Sequence, residues 1–225
     1  ARQRAVNAAA TARRARLTMT VGVSEGPFDA FLIGTLRREI LIIGPAADRV
    51  VDFESTARPH ETLVSPHIAT KFDVTTHLGG HDGGIVLAPD TNVAPTGVPE
   101  RRFDDIELDP YVPGPVAEQL EGFARLGGEH RFATVGFLQV SGVRAMIDHD
   151  PQAAAEAMGA VVDRAEAACR RFGAAGLETD IGGDGFKFVL SAGAPLARGN
   201  TNDALLQVAL DVIRHESPLG LRVGA

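Results

Sequence analysis

Asp184 stands in a Gly-Gly-Asp-Gly run over residues 182–185, and Gln139 ends an apolar run 45 residues before it. A carboxylate can hold a cation; a neutral amide does so far less well. Read plainly, Asp184 steadies a tight hairpin turn beside glycine, and Gln139 is the polar end of a strand. Asp48 and Asp52 lie four residues apart, one helical turn, and share a solvent-facing or interface-facing side. Arg37 and Arg38 fall between two apolar runs at a hairpin tip. There they read as solvated side chains, with phosphate or bicarbonate contact as the alternative. His77 and His81 with Asp82 have ligand-like spacing, but among glycines rather than on a helix. Cys169 falls on a helical core spacing, without the setting of a nucleophile. No GxxxxGK[ST] run occurs, which excludes an ATPase P-loop.

The elements that must position these residues follow from pattern and punctuation. In the first part of the chain, an Ala-rich helix runs into a strand at Leu17–Val23. Strands over Phe28–Gly34 and Arg38–Ile43 follow a turn at Ser24–Pro27. Next come a helix over Ala46–Ala57, with Val50, Val51 and Phe53 inward, and a strand at Thr62–Val64. Ser65 then caps a helix that has Pro66 in its first turn. Residues 73–130 are rich in Gly and Pro and read as loop and linker. A short strand at Ile85–Ala88 and a short helix at Val116–Leu126 are expected within them. The acidic run Asp104, Asp105, Glu107 and Asp109 reads as solvated linker surface.

The last part opens with a buried strand over Phe132–Val140. Ser141 is expected to cap a short helix ending at Ile147. Asp150-Pro151 opens the longest helix, Pro151–Phe172, stopped by Gly173. Met158, Val161, Val162, Ala165, Cys169 and Phe172 form its inward stripe. Strands at Leu177–Ile181 and Phe186–Ser191 pair around Gly182–Gly185. A helix over Asn202–Glu216 and a strand over Leu219–Gly224 complete the series. The expected class is α/β (α+β), with a mixed or antiparallel sheet and helices on one face, a ferredoxin-like palm.

The chain's 225 residues, 44% hydrophobic and 23% charged, have globular composition. The net charge of −7 argues against a nucleic-acid partner. No run of 18 apolar residues occurs, so no membrane helix is expected. A single cysteine fits a reducing, cytoplasmic setting. The two ends also match: helix then Val21-Gly22, and helix then Val223-Gly224, 202 residues later. The chain therefore reads as about one period of a tandem repeat. Its expected parts are 1–76, the C-terminal half of one domain; 77–130, a linker; and 131–225, the N-terminal half of the next.

The segments FLQVSGV (137–143), IGGDGFKFVLSAGAP (181–195) and LRVGA resemble the front half of a class III nucleotidyl cyclase domain. TVGVSEGPFDAFLIGTLRREILIIGPAADRVVDFESTARPHETLVSP (20–66) resembles the back half of another. The order is similar to that of the tandem domains of soluble adenylyl cyclases and their bacterial relatives. A diguanylate cyclase palm lacks the VGVSEG and GPAADRVV features.

The resemblance implies conversion of ATP (or GTP) to a 3′,5′-cyclic nucleotide and pyrophosphate with Mg2+ or Mn2+. It also implies the complementary half-domains as partners. In the family, two aspartates of one domain hold the ions, and an Asn and an Arg of the partner domain orient the ribose and stabilise the phosphate. Here Gln139 and Asp184 stand at the metal positions, Asp48 at the Asn position, Asp52 at the Arg position and Leu41 at a base-reading position. The other site of the pair carries a base-reading Lys that would fall near Asp180 or Ile181, where there is no Lys. Asp52 would set a negative charge against a triphosphate. The implied site is therefore degenerate, and the chain alone is expected to be inactive. The alternatives are a regulatory pseudo-cyclase module and a dimerisation scaffold.

Overall fold

The computed structural model describes residues 17–71, 77–88, 107–122, 131–195 and 199–224. In chain order the first elements are β1 (Val21–Val23), β2 (Asp29–Ile33), β3 (Glu39–Ile43), α1 (Pro45–Thr56), β4 (Thr62–Val64), α2 (Pro66–Lys71), β5 (His77–His81) and β6 (Gly84–Leu87). The later ones are a 3-10 turn at Asp109–Tyr111, α3 (Gly114–Gly122), β7 (Thr134–Ser141), α4 (Val143–His149), α5 (Pro151–Phe172), β8 (Ala175–Gly182), β9 (Gly185–Ala192), α6 (Thr201–Ile213) and β10 (Gly220–Gly224). This is a mixed α/β protein whose described strands form three sheets. It divides into two units, residues 1–28 with 44–99 and residues 29–43 with 100–225.

In the first unit the sheet order is β1-β4-β6-β5, with β1 and β4 parallel and the other neighbours antiparallel. Helix α1 opens with Pro45 at its first position, where a missing N–H costs nothing. Its Phe53 and the following Ala57 close a small core with Leu63 and Val86; Val50 and Val51 are only half-buried. The helix backbone approaches β1 so closely that a Cβ on Gly22 would lie 2.4 Å from the Val50 carbonyl oxygen. Only glycine fits there. Ser65 caps α2 as expected, its Oγ accepting from the Ile68 N–H at 3.3 Å. Residues 77–87, read as part of a linker with one strand, form the pair β5–β6. The Ala-rich helix expected over residues 1–16, and Asp104 and Asp105 of the acidic run, lie outside the described residues.

The second unit is built on a four-stranded antiparallel sheet in the order β10-β7-β9-β8. Alternation along β7 sends Leu138 and Val140 inward and Phe137 and Gln139 outward. Phe186, Phe188 and Leu190 of β9 extend the buried face. Helices α5 and α6 cover that face with Met158, Val161, Val162, Ala165 and Cys169, and with Leu205, Val208 and Val212. Each of the Met, Val and Leu side chains contributes about 1.5–3 kcal/mol when fully buried. Helix α5 runs as its punctuation predicts. The Asp150 carboxylate accepts from the Gln152 and Ala153 N–H groups, each at 3.0 Å, and Gly173 ends the helix at φ 79°.

The expected Ser141 cap is not formed. Gly142 is the N-cap of α4 and brings no side chain. The open N–H groups turn to Asp184 instead, whose Oδ2 accepts from Gly142 at 2.7 Å and whose carbonyl accepts from Val143 at 3.1 Å. The hairpin β2–β3 also belongs to this unit, although its sequence lies between two segments of the other. Its Ile33, Leu41 and Ile43 join the core that α5 and the sheet enclose.

Candidate functional site

The face of the second unit's sheet that α5 and α6 leave uncovered carries most of the candidate residues. Register places Arg222 opposite Gln139, Gln139 opposite Lys187, and Lys187 opposite Asp180. All four point to the exposed side, so one polar row crosses β10, β7, β9 and β8. Side chains directly opposite each other on neighbouring strands interact. A shallow cavity of about 270 Å³ lies over the row, lined by Phe137, Gln139, Lys187, Arg222, Val223 and Gly224.

Asp184 occupies the turn between β8 and β9. Its bonds to Gly142 and Val143 tie that turn to the chain just past the end of β7, three and four residues beyond Gln139. The two positions that carry the family resemblance thus converge at one end of the sheet. Their chemistry does not fit a pair of divalent ions. Gln139 is uncharged, cations stand beside it on both neighbouring strands, and one Asp184 oxygen is committed to a backbone N–H. Magnesium demands hard anionic oxygens in near-ideal geometry. Among the described residues, no group of three or more His, Cys, Asp or Glu side chains is arranged to hold a metal ion.

The remaining candidates are placed elsewhere. Asp48 lies in the first turn of α1, where the positive end of the helix dipole favours a carboxylate. Asp52 is exposed one turn on, its carbonyl accepting from Ser55 and Thr56 hydroxyls. Both belong to the first unit. Leu41, in β3, is 0% exposed within the core of the second unit, which leaves it no surface to offer a ligand.

Arg37 departs furthest from the sequence reading. Read as solvated, it is 3% exposed. Its Nη1 donates to the carbonyls of Gly176 and Leu177 at 3.1 and 3.0 Å. Its Nε lies 2.9 Å from Oε1 of Glu166, itself 3% exposed, and its Nη2 pairs with Glu39. The carboxylate contacts are ion pairs rather than aligned hydrogen bonds. The guanidinium also stands 5.0 Å over the Phe188 ring, a cation–π distance. Two carboxylates share one cation here, and burial pushes the Glu166 carboxyl above its ordinary value despite Arg37 and Arg170 nearby. Glu166 is the partner that sequence reading missed. The available signal was its helical spacing, four residues after Val162 and next to Ala165 of the inward stripe of α5.

Elsewhere in the first unit, His81 bonds Asp82 at 2.9 Å and Glu61 at 3.0 Å, which raises its pKa. The side chain of His77 lies outside the described residues. Cys169 is buried as expected, its thiol pushed up to about 12 by desolvation and by Glu166. No protein-family model matches the chain, and no curated protein matches it. Among the described residues, no helix is long and apolar enough to cross a membrane.

Proposed function

We propose that this chain is part of a cytoplasmic, tandem class III adenylate/guanylate cyclase and carries the degenerate one of its two sites. The observation that carries the reading is the arrangement of residues 134–224. A strand–helix–helix–strand–strand–helix–strand series folds into the antiparallel order β10-β7-β9-β8 with helices on one face. This order supports the reading of a ferredoxin-like palm. Gln139, two residues before the end of β7, and Asp184, in the β8–β9 turn, support the reading as counterparts of the metal positions that the resemblance implies. The ordered motifs of residues 20–66 support the same reading.

In the intact protein, ATP or GTP would be cyclised at the other site, built from the complementary half-domains. This chain's own residues do not supply that chemistry. Lys187 and Arg222 beside Gln139 favour a second reading, a regulatory module without turnover. The test is to incubate the folded chain with ATP and Mn2+ and to measure cyclic AMP by mass spectrometry. No product is expected. Clear product that Asp184→Ala abolishes would overturn the degenerate-site reading.

A further inference from the structure

The burial of Arg37 carries an inference that does not depend on the cyclase reading. The hairpin β2–β3 is bracketed in sequence by two Gly-Pro pairs, Gly26-Pro27 and Gly44-Pro45. Its apolar side packs on the rest of the second unit through Ile33, Leu41 and Ile43. Its tip is fastened on both flanks. The Thr35 and Leu36 N–H groups donate to Asp163 Oδ1 at 2.6 and 2.9 Å, the Thr35 hydroxyl donates to Oδ2 at 2.8 Å, and Arg170 donates to the Leu36 carbonyl at 2.9 Å. Between these bonds Arg37 drops into a slot with two carbonyls, a buried carboxylate and an aromatic face.

The slot is made for that group. A Cβ on Gly176 would lie 2.5 Å from the Phe188 ring and 2.6 Å from Glu166 Oε1, so only glycine leaves the opening. Without the guanidinium, Glu166 would be buried without its cation, a state that proteins avoid. The planar fork of arginine reaches carbonyls and carboxylate together; an ammonium is a point charge and cannot. Arginine is among the residues enriched at binding hot spots, which sit in well-packed, desolvated pockets.

We infer that the slot formed by Glu166, Gly176, Leu177 and Phe188 is a guanidinium-binding site, and that residues 29–43 are a docking arm with Arg37 as its anchor. The arm and the body are separable partners. The site accepts an alkylguanidinium of the right length whether or not it is attached to the chain.

The test is hydrogen–deuterium exchange on the full chain with Arg37→Ala. Removing one partner of a buried ion pair is expected to raise exchange in residues 29–43 by about a hundredfold. The strands β7 and β9 should keep their protection. Millimolar ethylguanidinium should restore protection to the arm, whereas ethylammonium at equal ionic strength should not. If Arg37→Ala fails to fold, Arg37→Lys takes its place, with a rise of about tenfold in the arm expected. Unchanged exchange in the arm would overturn the proposal. So would equal loss of protection in arm and body, or rescue by either cation alike.

Discussion

The second unit holds two polar constellations that look alike in sequence and behave differently in space. Arg37, Glu39 and Glu166 are enclosed, and each charge meets its opposite. Arg222, Gln139, Lys187 and Asp180 form an exposed row across the open face of the sheet. A buried charge is tolerated only when partners replace its lost water, so the enclosed group is committed to holding the fold. An exposed charge keeps its water and can exchange it for a ligand. The contrast separates residues that organise the unit from residues available for chemistry, and substitutions can break or sharpen it.

The largest effect is expected from Arg37→Ala. Opening of residues 29–43, read by native-state exchange, should become easier by about 3 kcal/mol, because two acids lose their shared cation, while global unfolding of the unit changes little. A similar substitution in the open row, Lys187→Ala, should change stability by no more than about 0.5 kcal/mol. Equal effects would erase the distinction.

Glu166→Gln is expected to cost less, about 1.5–3 kcal/mol, since it keeps the shape and loses a charged contact. It should also remove a pH effect of unusual sign. Burial raises the Glu166 pKa, so the folded state binds this proton more readily than the unfolded state. Its contribution to stability therefore grows as pH falls through the raised value, and is level below the ordinary carboxylate value. The charged groups acting on it are Arg37, Arg170, Glu39 and Asp163. A stability profile that is the same for the native chain and Glu166→Gln would contradict this.

Changes in the open row should act on ligands instead. Gln139→Asp adds an anionic oxygen to the row and should raise Mn2+ affinity about tenfold in calorimetry, with little change in stability. Asp184→Ala removes the acceptor for Gly142 and should cost about 1 kcal/mol. The smallest effect belongs to the first unit. His81 is raised by Asp82 and Glu61, so it contributes stability below the ordinary histidine value. That contribution is lost as pH rises through the raised value. Glu61→Gln should bring the His81 titration, followed by NMR, down toward the ordinary value.

Much of the local structure was legible in the chain. Asp150-Pro151 and Gly173 mark the two ends of α5 because capping and left-handed termination are properties of those residues themselves. The spacing of Met158, Val161, Val162, Ala165 and Cys169 set the buried stripe, because a helix repeats its faces by geometry alone. The glycines of residues 182–185 marked the turn between β8 and β9 for the same local reason. Ser141 was misread because Gly142 supplies the cap position and a side chain 42 residues later bonds its N–H.

The candidate site was legible only as a set of residues. Gln139, Lys187 and Asp180 become neighbours through register, which depends on how three strands align. The fate of Arg37 was not legible at all. An arginine between two strands reads as a solvated tip, since charge favours water unless something repays its removal. What repays it here is Glu166, 129 residues away in sequence, with two carbonyls and a ring from two further strands. Local order came from properties each residue carries by itself. The burial of a charge depends on partners drawn from distant segments, and only the tertiary structure brings those together.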